Sequence, residues 1–525
     1  LNDGVYWDDW LLTTFLKDRS WGNIRALTVG RGVPTDFIYW KLLSLAPNSL
    51  LAGRVGVFAC IVALGCLVYL LCRRSGFLSR AEALLAALIT VTYPAFQTWV
   101  LLCTGNYVAY LTLFMAGALA ALEAERARGA AHLALRAACL GLFFASFGLN
   151  SLLVSYFGVL ALLVLERRRR TGRGLVAELY AFCRARLDYL ALPFGYWLVK
   201  CLAFPAGGEY AGYNHLGFAG VRAAGSAVGF LRFAVYTPIN EALRIGLAEP
   251  ALLAGAWIGY RAYGTARPEP ESPRRACAPA AALLAFGAGL AFLAALPYVL
   301  VGKRPSPAGW DTRHSLLLAL PAALLLIGAA RAASGRPEEA PTRPALALLA
   351  LLCGLFAAST VRTYLELQAR WAVDRAVIHQ LSEKPADARY STYWVDESSR
   401  PGPEAWRDET HRPYEWAGML GAAWGGERRV GVDLADAHDR VMLSNLVHLK
   451  GLSGIPDWDP AGCQANLTVS AGPVNRRYWK VALKYLALRY LKPKDLPDFL
   501  DGLAAVDVRP VTAPGCVSLP LTAAR

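Results

Sequence analysis

Between Arg54 and Val361 the chain is a succession of apolar blocks, most of them long enough to cross a hydrocarbon layer of roughly 30 Å, and arginine runs fall on every second loop between them. A soluble core can account for apolar runs but not for that alternation, which is how basic loops are distributed when a chain threads a bilayer. The blocks are 55–72, 83–96, 107–122, 132–149, 151–165, 187–204, 250–263, 278–301, 315–330 and 345–361. Arg73, Arg74 and Arg80 follow the first, and Arg126 and Arg128 the third. Arg167, Arg168, Arg169, Arg170 and Arg173 follow the fifth, Arg261, Arg267, Arg274 and Arg275 the seventh, and Arg331 and Arg336 the ninth. The pattern predicts an α-helical polytopic membrane protein with about ten spans and both ends on the non-cytoplasmic side. The chain opens at Leu1, already polar and aromatic, so we expect a further helix upstream, for about eleven.

Composition agrees. Charged residues make up 18% of the chain, against about 25% in soluble proteins. A net charge of +15 in a soluble protein would suggest nucleic acid, but these arginines sit in loops between spans, which excludes that partner. Three regions follow: residues 1–53, a first extracytoplasmic loop; 54–361, the transmembrane helices; and 362–525, a tail of soluble character. The tail suits a small extracytoplasmic α/β domain, with a helix at its start, strands over 390–395 and 429–434, and a helix over 478–491. Most of the eleven cysteines lie in or beside apolar blocks and read as small buried hydrophobes; Cys463 and Cys516, in the tail, could pair if it lies outside the cytoplasm.

The first loop carries the most informative string, Tyr6-Trp7-Asp8-Asp9-Trp10. Two adjacent carboxylates repel, which raises the affinity of one for a proton. Such a pair could serve as a general base or hold a divalent cation, Mg or Mn, through oxygen ligands. Tyr6 and Trp10 could stack on a sugar. The plainer reading is a solvated pair or a helix cap ahead of the next residues. A second cluster, Lys303, Arg304, Arg313 and His314, sits on an external loop and breaks the charge trend. Arginine binds phosphate in its plane, so Arg313 and His314, at headgroup depth, could hold an anionic lipid; snorkelling to headgroups is the alternative. Tyr213 and His215 lie on a glycine-rich external loop that could cover a site. Tyr93, Gln97, Asn106, Tyr107, Asn150 and Tyr156 could line a cavity or simply pack helices, and Arg136 and Lys200 lie near span ends. In the tail, Trp394, Asp396, Glu397, Trp406, Trp416 and Trp424 read as a Trp-rich core or as carbohydrate contacts.

An acidic pair in the first external loop, many helices and an external C-terminal domain together resemble the GT-C superfamily of membrane glycosyltransferases. That group includes protein O-mannosyltransferases, lipid A aminoarabinose transferases and oligosaccharyltransferases. The Tyr6–Trp10 string is similar to a motif of many bacterial members; the architectural likeness covers nearly the whole chain, while the motif is short. The resemblance implies transfer of a sugar from a polyprenyl-phosphate donor to a glycan, lipid or protein acceptor on the outer face of the cytoplasmic membrane. It implies that Asp8 or Asp9, with Asp8 slightly favoured, acts as base or metal ligand, and that Arg313 meets the lipid phosphate. A transporter or flippase of lipid-linked glycans and a non-enzymatic envelope assembly protein are the competing classes. The absence of a visible repeat and the scarcity of charge within the spans weigh against a transporter.

Overall fold

The structure is a computed structural model. It describes residues 2–17, 21–207, 220–248, 257, 278–306, 309–334, 342–400, 410–426, 429–433, 458–459, 462–472 and 477–511.

The first segment folds into short helices, α1 (Asp9–Lys17), α2 (Trp21–Gly30) and α3 (Pro34–Ser44). Among the described residues six helical segments are long and apolar enough to cross a membrane. These are α4 (Ser49–Ser75), α6 (Gly105–Ala124), α7 (Gly129–Ser146), α13 (Ala280–Leu300), the segment Trp310–Ala333, and α15 (Arg343–Ser382). The segment Trp310–Ala333 joins a 3-10 stretch, Trp310–Leu318, to α14 (Ala319–Ala333). Phe58, Phe194, Trp197 and Phe292 are each more than half exposed. A surface of that kind needs an apolar solvent, and the chain is a helical, membrane-embedded protein.

Other expected spans take shorter or more polar forms. Block 83–96 becomes α5 (Arg80–Thr92), whose 13 residues reach only about 20 Å. Block 151–165 becomes α8 (Ser151–Thr171), whose last turns are the arginine run itself. After α9 (Leu175–Ala185), block 187–204 becomes α10 (Leu187–Ala203), which carries Pro193 inside it. Block 250–263 lies outside the described residues apart from Trp257. The amphipathic stretch before it forms α11 (Gly220–Ala234) and α12 (Tyr236–Ala248), which pack against α13 and α15.

The loop arginines gather at one end of the bundle and find carboxylates there. Arg126 meets Glu166 at 2.7 Å, Arg167 meets Glu178 at 2.7 Å, and Arg186 meets Glu125 at 2.7 Å. Deeper, Arg331 and Glu82 form a two-pronged pair with both bonds at 2.6 Å and no exposure on either side chain. Asp8, Asp9 and the start of α6 lie at the opposite end, next to the tail.

Two large apolar clusters divide the molecule. One runs through the helices from Leu64 to Phe356. The other joins Tyr6, Trp7, Trp10 and Phe15 of the first segment to the tail, including Trp371, Tyr393, Trp416 and Leu467. The first segment therefore shares a core with the tail, and the 40-residue α15 runs unbroken through the 361/362 boundary into it.

The tail strands β1 (Thr392–Ser399), β2 (Val430–Asp433), β3 (Gln464–Ala471) and β4 (Ala504–Pro510) form one sheet in the order β2-β1-β3-β4. β1 is parallel to β2 and β3, and β3 is antiparallel to β4. Burial of Ala465, Leu467 and Val469 against exposed Asn466 and Thr468 shows the period of two that turns one face inward. Around the sheet lie α16 (Pro413–Trp424), α17 (Tyr478–Leu491) and α18 (Leu496–Asp501). Gly418 of α16 has no side chain for a reason: a Cβ there would sit 2.4 Å from the Trp10 ring, so the helix presses its backbone onto α1.

Candidate functional site

The string Tyr6–Trp10 turns sharply into α1, with the amides of Asp9 and Trp10 bonding back to the carbonyls of Tyr6 and Trp7. Trp7 adopts φ +47°, a left-handed conformation that disfavours a bulky side chain. It is held there by three contacts. Its amide donates to Glu415 Oε1 at 2.9 Å, its ring meets Trp310 at 6.0 Å between centroids, and the Arg370 guanidinium lies 4.9 Å from the ring centre. Arg370 is in turn 3.6 Å from Glu415.

This turn divides the acidic pair. Asp9 is fully buried and accepts from the amides of Leu102 at 2.9 Å and Cys103 at 2.8 Å, with Arg54 at 3.4 Å. Burial pushes its carboxyl above the ordinary range, while Arg54 and the two amides oppose that shift. Asp9 is thus a tie between α1, α4 and the 101–104 turn. Asp8 is half-buried and accepts from the Tyr414 hydroxyl at 2.8 Å. Burial, with Asp8 beside it, pushes the Tyr414 phenol well up, so it remains a donor. The expectation of two carboxylates acting together is therefore corrected: their side chains serve different partners. Both Asp9 oxygens accept amide hydrogens and Arg54 stands beside one of them, so this carboxylate is held by the protein's own donors. Among the described residues no group of three or more His, Cys, Asp or Glu side chains is placed to hold a metal.

Arg313 belongs to the same end. Its guanidinium stacks 4.2 Å from the centre of the Trp310 ring, the ring that meets Trp7, and pairs with Asp311 at 3.6 Å. The 3-10 stretch that presents it is pinned to the 95–97 turn: the Gln97 amide donates to Thr312 Oγ1 at 3.2 Å and the Ser315 hydroxyl to the Ala95 carbonyl. The contacts Trp7–Trp310–Arg313 thereby connect the two segments singled out in the sequence, and Asp8 is the chain neighbour of Trp7.

The other expected site residues divide. Tyr6 and Trp10 are core: the Tyr6 hydroxyl donates to the Leu367 carbonyl at 2.7 Å, and Trp10 packs on Gly418 and Trp371. Sugar stacking by either is corrected by that burial. His314 is buried, 3.1 Å from the Arg304 carbonyl and tilted against Tyr298. The Lys303 carbonyl accepts from the Ser226 hydroxyl, and the Arg304 side chain lies over Gly225 of α11. Tyr213, His215, Trp406 and Cys516 lie outside the described residues. Tyr93 and Tyr156 spend their hydroxyls on the carbonyls of Phe233 and Tyr189 inside the bundle. Arg136 pairs with Asp188, and Lys200 donates to Asn150 at 2.7 Å. Sequence reading missed Arg54, Arg31, Asp36, Arg370, Tyr414 and Glu415; an arginine in the first turns of a span, as Arg54 is, was the one detectable signal.

An apolar cavity lies within the bundle, lined by Leu71, Phe114, Leu162, Phe286, Leu290 and Leu324 among others. Its walls suit hydrocarbon; neither Asp8 nor Arg313 lines it, though Leu316 and Leu317 of the 3-10 stretch that carries Arg313 do.

The tail's acids and tryptophans form a buried network. Glu397 accepts from Trp416 Nε1 at 2.9 Å and meets His411 Nδ1 at 2.8 Å and Arg400 at 2.9 Å. His411 Nε2 lies 3.4 Å from Asp374. Burial would raise Glu397, but His411 and Arg400 reverse that and hold it far below the usual range. Burial and Arg400 push the His411 imidazole down, yet the two carboxylates outweigh them and its net shift is upward. The signs set a window. The Glu397 contribution is present above its unfolded value of about 4.3 and is lost as pH falls; that of His411 is full below about 6.5 and is lost as pH rises through its raised folded value. Thermal unfolding across pH 3–9 is expected to show greatest stability between those limits, and Glu397→Gln to flatten the acid side. An unchanged acid limb in that variant would refute the assignment.

Comparison with known protein families, with curated proteins and with solved structures finds no match.

Proposed function

We propose that this protein is a GT-C type glycosyltransferase that moves a sugar from a polyprenyl-phosphate donor to an acceptor hydroxyl on the extracytoplasmic face of the cytoplasmic membrane. The observation that supports the reading is the pair of contacts, Trp7 with Trp310 and Trp310 with Arg313, that brings the segment bearing Asp8 to the segment bearing Arg313 at the end of the bundle opposite the arginine-rich end. By the charge rule the arginine-rich end is cytoplasmic, which puts Asp8, Arg313 and the tail outside. The spans missing from the apolar six are, on this reading, α5, α8 and α10.

The chemistry needs a base and an anion partner. Asp8 takes the acceptor's proton as the acceptor oxygen attacks the anomeric carbon. The glycosyl carbon–oxygen bond breaks, and its electron pair stays on the lipid phosphate. Arg313 stabilises the charge that builds there. Asp9 holds the turn that aims Asp8. An apolar cavity within the bundle supports a lipid substrate.

The test is reconstitution into liposomes with polyprenyl-monophosphate sugars carrying a radiolabelled sugar. Transfer of label to an acceptor, with release of polyprenyl phosphate, is the expected result. Movement of intact donor across the bilayer without bond cleavage would overturn the proposal in favour of a transporter.

A further inference from the structure

We infer that α9 is an in-plane anchor at the arginine-rich end of the bundle. Its outward apolar face enters the headgroup–acyl boundary of the adjoining leaflet, and Arg168, Arg173 and Arg184 around it hold anionic phospholipid headgroups. The inference concerns the end of the molecule away from Asp8 and stands apart from sugar transfer.

The chain leaves α8 through Gly172 at φ +70°, a left-handed turn that suits glycine, and α9 begins shortly after it. At the other end Arg186 alone separates α9 from α10. The 11 residues of α9 span about 16 Å, and both halves are tied to one level of the bundle. In the first half, Glu178 accepts from Arg167 at 2.7 Å and from Thr171 at 3.0 Å, both in the last turns of α8. At the far end, Arg186 meets Glu125, just past α6, at 2.7 Å. A helix fastened in this way lies across the end of the bundle rather than along its axis.

The two sides of α9 differ. Glu178 and Phe182, one turn apart, face the protein and are buried, and the Arg167 guanidinium lies 5.8 Å from the Phe182 ring centre. Leu175, Val176, Leu179 and Tyr180 form the other side and are 47, 81, 49 and 69% exposed. The ridge continues onto α10, where Leu187, Phe194 and Leu198 recur at helical spacing, each more than half exposed. Such a ridge gains nothing in water and marks a surface that something apolar covers.

Charge decides what covers it. The acids of this end turn inward: the side chains of Glu125, Glu166 and Glu178 are at most 8% exposed, and each meets an arginine. Arg168, Arg173 and Arg184 stay exposed, and none of these three side chains has a partner among the described residues. The covering surface must therefore offer hydrocarbon to the ridge and negative charge to its edges. An anionic leaflet offers both, and basic residues beside an apolar helix face are the usual means of holding to one. Arginine also meets a phosphodiester in its plane, through two donors at once. Continuity with the exposed apolar surface of α10 selects the bilayer over a soluble acidic partner.

The experiment uses the full chain in nanodiscs of phosphatidylglycerol and phosphatidylcholine in equal amounts. Benzoylphenylalanine stands in place of Val176 or, as a reference, in place of Phe58 on the exposed side of α4. After irradiation the adducts are identified by mass spectrometry. Both positions are expected to yield lipid adducts, with the ratio of phosphatidylglycerol to phosphatidylcholine at Val176 about threefold or more above that at Phe58. Salt at about 1 M, which confines charge effects to about 3 Å, is expected to lower that excess. Arg168→Gln, Arg173→Gln and Arg184→Gln together are expected to abolish it while the melting temperature stays at the wild-type value. Adducts at Val176 to protein, from this chain or another, overturn the inference. So does the absence of any adduct at Val176 while Phe58 labels lipid, which leaves α9 in water. An excess that survives the triple substitution also overturns it, because the arginines then hold no headgroup.

Discussion

Asp8→Asn is expected to lower sugar transfer by about 10²- to 10⁴-fold with an unchanged melting temperature, whereas Asp9→Asn is expected to cost the fold itself. The two adjacent residues differ only in which way the Trp7 turn points them. Asp8 is half-buried at the end of the tyrosine hydrogen bond from α16, and asparagine keeps an oxygen that can still accept from Tyr414. The change removes a proton acceptor and little else. Asp9 meets two amides and the buried Arg54, so asparagine there supplies one acceptor where two were used and leaves a guanidinium without its charge partner. Breaking a buried pair from one side costs about 3–5 kcal/mol. Transfer assays paired with thermal unfolding in detergent separate the two outcomes. Full transfer by Asp8→Asn would remove the base, and with it the mechanism proposed above.

The readable part of this molecule was the part in which one physical effect dominates. Runs such as 55–72 and 278–301 can only be buried or in lipid, so their helices stood out, and the arginines after the first and before the second marked one end. The α17 helix likewise forms at its expected bounds, Tyr478–Leu491. The string Tyr6–Trp10 attracted notice through composition alone. What could not be read is which way each carboxylate faces, because that depends on a left-handed backbone at Trp7 stabilised by Glu415 and Arg370, hundreds of residues away. Asp36 escaped for a related reason. It is one acid in a short stretch without a clear apolar face, and its partners Asn106 and Tyr110 come from a different helix. Tyr6 and Trp10 were misread because an aromatic in an external loop is normally a surface group; here the tail folds over the loop and makes it core.

At the opposite end of the bundle, Arg331→Met is expected to destabilise the protein by about 3–5 kcal/mol, seen as a large fall in melting temperature, without touching any residue near Asp8. Arg331 ends α14, and its guanidinium grips both oxygens of Glu82 while also donating to the carbonyls of Phe77, at 3.2 Å, and Ala278. Glu82 is committed twice, since its Oε2 also accepts the Ser79 amide at 2.8 Å and closes the N-terminal cap of α5. One side chain therefore joins the start of α5, the turn before it, the approach to α13 and the end of α14. Methionine fills much of the volume but abandons a carboxylate with no exposure, in surroundings that solvate charge poorly. The cost lies in the stranded charge rather than in the lost bonds. Glu82→Leu combined with Arg331→Met should therefore recover most of the loss, short by about 1 kcal/mol for the broken cap. A single variant that melts like wild type, or a double variant no better than the single, would show that the pair does not bear on stability. Activity per folded molecule should stay at the wild-type level in the double variant, because the arginine-rich end and the Asp8 end lie at opposite ends of the helices that separate them.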